Sequence, residues 1–246
     1  MDKKDFVKAL ELLRADSKQN PRKFKQGVDL IINLKELDLK RPEQQVEIFL
    51  QLKHVTRKAK ICGIVGGELA AQSKANFDFT ITHEEFPRYN DKKILKKLAK
   101  EYDWFVAQGN IMLEIAKIFG RILGQRGKMP NPKAGCVVPP NANLKVVADK
   151  LRNTIKVAAK VQPSVKRAIG NETMADDEIA ENAMIIYSAV ASKVADEARN
   201  IKNVLLKFTM SKPVPVGLVE KIAKKQVGLN EGSKMSQTQL AFKGPR

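Results

Sequence analysis

The sequence predicts two domains, an α+β domain assembled from both ends of the chain and an α/β domain inserted between them. The chain has 246 residues, a length that suits one large domain or two ordinary ones. Its apolar fraction of 43% is enough to form packed cores. The residue pattern changes character near residue 57 and again near residue 151. Insertion of one domain into another explains both changes, and the two crossings of the boundary would form a hinge.

The middle of the chain alternates short apolar runs with helix-like segments. The runs are "AKICGIV", "FDFTI" and "DWFVA", and each is followed by a helical pattern, namely "ELAAQSKA", "DKKILKKLAK" and "IMLEIAKIF". Strands that alternate with helices favour a parallel sheet covered on both faces. Residues 57–151 are therefore predicted to form a small, doubly wound, Rossmann-like α/β domain.

Both ends of the chain carry mixed α and β signals. Apolar residues recur at helical spacing between residues 3 and 14, and apolar and polar residues alternate over 28–34 as in a half-buried strand. A second helix is predicted to begin near Asp176, with acidic residues at its positive dipole end, and a last strand covers 204–208. The predicted α+β domain comprises 1–56 and 152–225, and the polar segment 226–246 is predicted to be unstructured.

The charge balance is strongly basic. The chain has 45 Lys and Arg against 27 Asp and Glu, a formal net charge of +18. Because self-repulsion at this charge costs stability, a polyanionic partner is the simplest reason to retain it. Neutralisation of phosphates with release of counterions is the usual driving force for such binding. We therefore expect a nucleic acid partner, with membrane surfaces and basic enzymes as less favoured alternatives.

Membrane, export and metal signals are absent from the sequence. No apolar run approaches the roughly 18 residues of a membrane span, and the N-terminus has a helical rather than a signal-peptide pattern. We therefore expect a cytoplasmic protein without a membrane partner. The cysteines, Cys62 and Cys136, and the histidines, His54 and His83, fit no standard zinc spacing. We expect no metal site, and we interpret both thiols as small buried hydrophobes.

The motifs for nucleotide binding and catalysis are incomplete. At Gly127-Lys128 a phosphate-binding loop would need glycine at Ile122 and a hydroxyl at Met129. The glycines of "CGIVGGEL" do not reproduce a dinucleotide fingerprint and are typical of close packing between a strand and a helix. The adjacent pair Glu84-Glu85 is more typical of solvated charge than of acid–base catalysis, and no nucleophile has an elbow context. We predict no catalytic residue and no cofactor; the alternative is a nucleotide-dependent enzyme using the central α/β domain.

Two basic segments flank predicted strands of the terminal domain. The first, "RKFK", places an aromatic residue among cations just before a strand, and the second, "TMSK", follows the last strand. Phe24 alone is more typical of a core residue, but its cationic neighbours favour an anionic partner. If both segments lie at the same edge of one domain, they form a surface suited to folded RNA. The candidate RNA-binding residues are Arg22, Lys23, Phe24, Lys25, Thr209, Met210, Ser211 and Lys212.

A third candidate is the stretch "GQRGKMPNPKAG" at residues 124–135, which contains no acid. Its prolines exclude a continuous helix, and its cations Arg126, Lys128 and Lys133 would attract phosphates. Met129 and the prolines favour a purely structural role as much as the cations favour binding. Both interpretations remain open at this point.

The run "GKMPNPKAG" resembles the signature loop of a ribosomal family, that of large-subunit protein number one of the mobile lateral stalk. The order of the other segments is also similar to that family, with "KFKQGVDLIINLKELDLKRPEQQ" early in the chain and a "TM-x-K-P" ending. The similarity spans residues 1–218, and "NLKELDLKRPE" is more like archaeal and eukaryotic members than bacterial ones.

The resemblance implies a non-enzymatic protein of the cytoplasmic ribosome. Its implied partners are the large-subunit rRNA of the stalk, exit-site tRNA, other components of the large subunit and, in some members, the protein's own mRNA, whose translation is repressed. The implied rRNA contacts fall on Lys23, Phe24, Thr209 and Met210 in the terminal domain. Ser211 stands where the family usually has glycine. It would either weaken the contact or donate its hydroxyl group to a ribose. The loop 124–135 is expected to be rigid and to face the cleft or the RNA.

Overall fold

The computed structural model describes residues 1–41, 44–55, 57–194 and 200–217. By its internal contacts the chain divides into two compact units. Of the described residues, those in 1–47 and 157–217 belong to the terminal unit, and those in 48–156 belong to the central unit. The segment 226–246, predicted to be unstructured, lies outside the described residues.

The terminal unit contains an antiparallel sheet in the order β10-β9-β1-β8. The predicted alternation over 28–34 is confirmed, because Val28, Leu30, Ile32 and Leu34 all face the core. Strand β1 pairs with β8 on one side and with β9 on the other, so the N-terminal segment forms an inner strand. The strands are β1 (Gly27–Leu34), β8 (Ser164–Asn171), β9 (Ile201–Phe208) and β10 (Val214–Pro215).

Two helices of the terminal unit, α1 (Lys3–Gln19) and α6 (Asp176–Lys193), pack against each other and against the sheet. Helix α6 begins at Asp176 as predicted and has three acidic residues in its first turn, where they complement the helix dipole. Its buried side chains include Ile179, Ala183 and Ile186. The strand predicted over 204–208 is β9, which begins at Ile201, three residues before the predicted start, and the short strand β10 follows it.

The strands β2 (Val46–Gln51) and β7 (Thr154–Ala159) form a separate two-stranded sheet. The division between the two units falls within both of these strands. The two chain crossings are therefore made by paired strands.

The central unit is built on the predicted parallel sheet, in the order β4-β3-β5-β6. Its strands are β3 (Ile61–Val65), β4 (Phe79–Thr82), β5 (Trp104–Gln108) and β6 (Val137–Val138). Strand β4 begins two residues later than predicted, because Phe77 ends the preceding helix. The helices are α2 (Gly67–Asn76), α3 (Lys92–Glu101), α4 (Met112–Gln125) and α5 (Leu144–Asn153).

Each face of the parallel sheet is covered by its own apolar cluster, as the doubly wound pattern predicts. One cluster joins β3, β4 and β5 to α3 and α4, and the other joins β3, β5 and β6 to α2 and α5. Gly63 shows why the sheet needs a small residue, since a Cβ there would lie 2.4 Å from Ser73 Oγ. The glycine thus serves close strand–helix packing.

Both cysteines are buried and unpaired, which confirms their interpretation as small core residues. Burial raises the pKa of the Cys136 thiol to about 11 and raises that of Cys62 further. Both thiols are therefore protonated and unreactive near neutral pH. Among the described residues, no helix combines the length and apolar character needed to cross a membrane.

Candidate nucleic-acid interface

The two predicted basic segments meet at one end of the terminal sheet. Strands β1 and β9 are antiparallel and pair Val28 with Phe208, so the residues before β1 and those after β9 emerge at the same end of the sheet. The Thr209 amide donates to the Gly27 carbonyl at 3.1 Å, and the Gly27 amide donates to Thr209 Oγ1 at 3.1 Å. The N-terminal and C-terminal segments are therefore joined directly.

The buried side chain of Gln26 stabilises this junction through hydrogen bonds. The Met210 amide donates to Gln26 Oε1 at 3.2 Å, and Gln26 Nε2 donates to Ser17 Oγ at 3.3 Å. Only 3% of Gln26 is exposed. Because buried polar groups are costly unless they are hydrogen-bonded, this amide fixes the position of the Met210 backbone relative to α1.

Glu172, just after β8, completes the polar network under the junction. Its carboxylate accepts from Ser17 Oγ at 2.8 Å and from the Gln26 backbone amide at 3.3 Å. Arg14 holds the same loop by donating to the carbonyls of Glu172 and Met174 and to Asp176. The network joins the ends of α1, β8 and β9 into one support.

The sequence did not single out the network residues, although one signal for Gln26 was present. Extending the alternation of Val28, Leu30, Ile32 and Leu34 backward by one step places Gln26 in the inward-facing phase. A polar residue at an inward position requires a partner. The roles of Ser17 and Glu172 depend on contacts between distant parts of the chain and have no local signal.

Above this network lies an exposed surface that we call the strand-end surface, formed by Arg22–Lys25 and Thr209–Lys212. Phe24 is 50% exposed and Met210 is 57% exposed, so neither side chain is used by the core. The structure therefore brings the predicted residues of both segments to one edge, with two apolar side chains facing solvent. The cations Arg22, Lys23, Lys25 and Lys212 are also exposed.

Ser211 has a structural partner on its own chain. The Phe208 amide donates to Ser211 Oγ at 2.8 Å, and the hydroxyl group lies within 3.1 Å of the Lys212 carbonyl. Positive φ angles among the described residues other than glycine occur at Glu36 alone, so Ser211 does not occupy a left-handed conformation that would require glycine. Its hydroxyl group therefore closes the turn that follows β9.

In the loop 124–135 the three candidate cations differ in their environment. Lys128 is half-buried and its ammonium group donates to the Tyr102 carbonyl at 2.6 Å. Desolvation lowers the pKa of Lys128, with smaller effects from charged neighbours. Arg126 and Lys133 are exposed. The structure thus uses Lys128 inside the central unit and leaves the other two cations facing solvent.

Glycines and a methionine fix the shape of the same loop. Gly127 and Gly135 have φ angles of 63° and 74°, values that favour glycine strongly. The Gly135 amide donates to the Pro132 carbonyl at 2.9 Å. Met129 packs against the apolar cluster beneath α3 and α4. These contacts support the structural interpretation of the loop while leaving Arg126 available.

At the crevice where doubly wound folds bind nucleotides, a buried side chain engages a backbone amide. In such sheets the ligand site lies beyond the carboxyl ends of the strands at the point where strand order reverses, here between β3 and β5. Gln108, which is 4% exposed, accepts a hydrogen bond from the Gly66 amide at 2.8 Å across this point. The amide that would receive a phosphate is therefore already paired.

No cluster of three or more His, Cys, Asp or Glu suited to a metal ion occurs within the described part of the chain.

The chain is similar to known ribosomal proteins over most of its length. The family model described as the ribosomal protein L1p/L10e family matches residues 13–212. The chain is 38% identical over 218 residues to the large ribosomal subunit protein uL1 of Methanothermococcus thermolithotrophicus, covering 88% of this chain and 99% of the relative. It is 40% identical over 199 residues to the protein of the same name from Nanoarchaeum equitans, covering 79% and 92% respectively.

A relative from Pyrobaculum aerophilum, also named large ribosomal subunit protein uL1, is 36% identical over 220 residues, covering 89% of this chain and 95% of its own. These archaeal relatives are matched over nearly their whole length, and the family consists of structural ribosomal proteins rather than enzymes. The chain therefore belongs to the ribosomal protein L1p/L10e family.

Proposed function

We propose that the chain is a structural constituent of the large ribosomal subunit and that its strand-end surface binds the rRNA of the lateral stalk. The observation that carries this proposal is the exposure of Phe24 and Met210 at one edge, on segments joined by direct hydrogen bonds. An aromatic and a thioether side chain facing solvent between cations suit a folded RNA, whose bases stack and whose phosphates attract the cations.

The proposal assigns the main RNA affinity to the terminal unit. In it the two ends of the chain form one α+β domain, into which the central α/β unit is inserted. Lys23 and Lys25 would neutralise phosphates, Phe24 and Met210 would pack on a base or ribose, and Thr209 would fix the spacing between the two segments. The charged groups supply affinity that depends on salt, and the apolar pair supplies recognition of shape.

Ser211 fits this proposal as a residue that shapes the turn. Because its hydroxyl group is engaged with the Phe208 amide, it holds the Met210 backbone in place without contacting a ribose itself. A serine in place of the usual glycine is thus compatible with an intact binding surface.

The wider role that we propose is that of a cytoplasmic, ribosome-bound protein of the stalk. It would contact exit-site tRNA as that tRNA leaves and would lie beside other components of the large subunit. The same strand-end surface would also bind a similar fold in the protein's own mRNA and repress its translation, since one surface can serve both RNAs.

The test is a titration of the full chain with a stalk rRNA fragment at several salt concentrations. Met210→Asp should weaken binding by about 1–3 kcal/mol, about 5- to 150-fold, because it removes apolar packing and adds repulsion from phosphate. Val161→Asp is the matched control. It makes the same charge change at a residue that is 91% exposed. Val161 precedes the first residue of β8, Ser164, which pairs with Asn33 at the end of the sheet remote from the strand-end surface. Equal affinity for the two variants would refute the proposed surface, and binding that does not respond to salt would refute its electrostatic basis.

A further inference from the structure

More than half of the net positive charge of the chain lies outside the terminal unit. Residues 48–156, which form the central unit, contain 20 Lys and Arg against nine Asp and Glu, a surplus of 11 within the net charge of +18. The strand-end surface therefore leaves most of the basic character unexplained. A single element of the central unit, helix α3, concentrates much of it.

Helix α3 has the sequence KKILKKLAKE, and its five lysines share one face. At about 100° per residue, Lys92, Lys96 and Lys100 form one row along the helix, and Lys93 and Lys97 form the neighbouring row. The opposite side, with Leu95 and Ala99, is buried in the core of the unit. All five lysines are exposed.

These lysines have no acidic partners among the described residues. The carboxylates at the two ends of the helix are used elsewhere: Asp91 accepts from the Lys93 backbone amide, and Glu101 pairs with Lys60. Asp103 and Glu114 pair with Arg57 and His83. The ammonium groups thus form a continuous cationic face that no carboxylate on the same helix neutralises.

The arrangement is unfavourable for the helix itself. Lysines at spacings of three and four residues repel one another, and two lysines stand in the first turn, at the positive end of the helix dipole, with the N-cap Asp91 as the single carboxylate beside them in that turn and its cap. A local arrangement that opposes stability without an evident structural gain is typical of a functional surface. A polyanion that bridges the ammonium groups would remove the repulsion.

We propose that the lysine face of α3 is a second RNA-binding surface, which contacts the phosphate backbone without reading bases. The rows of lysines repeat about every 6 Å along the helix and offer only point charges, which suit phosphates and carry no sequence information. Because the apolar side of α3 is committed to the core, the helix cannot insert that side into a membrane. The choice of RNA among polyanions rests on the proposed function of the terminal unit.

The experiment compares two triple variants of the full chain that carry the same change of charge. The test variant replaces three lysines of the α3 face by Gln, and the control variant replaces three exposed lysines of α2 and α5, which cover the other side of the sheet. The probe is a blunt RNA duplex without a bulge or loop, titrated at several salt concentrations. The substitutions are Lys92→Gln, Lys96→Gln and Lys100→Gln in the test variant, and Lys74→Gln, Lys145→Gln and Lys150→Gln in the control.

The test variant should lower the slope of log K against log salt by about 2–3, at about 0.7–0.9 per lost phosphate contact, and the control by less than about 1. Equal losses in both variants would show that only net charge matters and would overturn the proposal, as would no loss in either. Acylation of lysines followed by mass spectrometry gives a second readout, in which the duplex should protect the α3 lysines of the unmodified chain. Their continued labelling would also overturn it.

The outcome is separable from that of the proposed function. Met210→Asp is titrated with the stalk rRNA fragment, whereas the α3 variant is titrated with the plain duplex. A Met210 variant with normal affinity beside a weakened α3 variant would refute the strand-end surface alone. The reverse result would refute the α3 surface alone. If the α3 variant lost binding to anionic vesicles but kept its affinity for RNA, the α3 face would be assigned to a membrane instead.

Discussion

Replacing Gln26 by Met tests whether the buried amide holds the strand-end surface together. The substitution keeps a long unbranched side chain and removes two hydrogen bonds, one from the Met210 amide at 3.2 Å and one to Ser17 Oγ at 3.3 Å. Each contributes about 0.5–1.5 kcal/mol net, so their loss should cost about 1–3 kcal/mol. About 0.5–1.5 kcal/mol of this cost falls on the turn after β9, because the Met210 amide loses its acceptor there, and the rest falls on the contact with α1.

The assay is amide hydrogen exchange measured by NMR on the full chain. A loss of about 0.5–1.5 kcal/mol in local stability corresponds to exchange of the Met210 amide that is about 2- to 13-fold faster. Affinity for the stalk rRNA fragment should fall with it, since Met210 is no longer held in place. Gln72→Met, at an exposed position of α2, is the matched control and should leave both measurements unchanged.

Unchanged exchange at Met210 in the Gln26 variant would refute this explanation of how the surface is held. Faster exchange with normal RNA affinity would show that the junction is stabilised by Gln26 but that binding does not require it.

Three further predictions concern the turn, the loop and the thiols. Ser211→Ala should lower the unfolding free energy by about 0.5–1.5 kcal/mol, since the Phe208 amide loses its partner. Ser211→Gly should lower it by about 0.5–1 kcal/mol more through backbone entropy. Urea unfolding measures both, and an Ala variant of normal stability would contradict the role of the hydroxyl group. Lys128→Gln should destabilise the central unit by about 1 kcal/mol, because the Tyr102 carbonyl loses its donor. The control Arg126→Gln, at an exposed position, should not. Urea unfolding followed by Trp fluorescence measures both, and equal effects would contradict the internal role of Lys128. Cys62 and Cys136 should resist a thiol-specific disulfide reagent at pH 8 until the chain is unfolded, because burial raises the pKa of both; rapid labelling of the native protein would contradict their burial.

Much of the fold follows from local patterns in the sequence. The alternation over Val28–Leu34 predicts a half-buried strand, and the cycles of apolar runs and helices predict a parallel sheet covered on both faces, as the structure has them. Helix α5 and the two-residue strand β6 had no comparably clear pattern. Strand β4 began later than the apolar run because tertiary packing assigned Phe77 to the end of α2.

The candidate site was only partly predictable, for a physical reason. The types of residue at 22–25 and 209–212 indicated a surface for a polyanion, but their meeting depends on a register between β1 and β9, which are separated by more than 160 residues of chain. The supporting bonds of Gln26, Ser17 and Glu172 also join distant parts of the chain, namely α1 and the segments next to β1, β8 and β9. Lys128 has the right charge for a phosphate contact, and only the structure shows that its ammonium group already donates to the Tyr102 carbonyl.

The inner position of β1 has a consequence for the synthesis of the protein. Its two neighbours, β8 and β9, come from the last third of the sequence. In the nascent chain β1 therefore has no partner until β8 (Ser164–Asn171) has been made, and it lacks its second partner until residue 208 has left the exit tunnel. The central unit can fold before then, because its strands are contiguous. If the strand-end surface binds RNA as proposed, a partly translated chain that still lacks β9 and residues 209–212 cannot yet compete for that RNA.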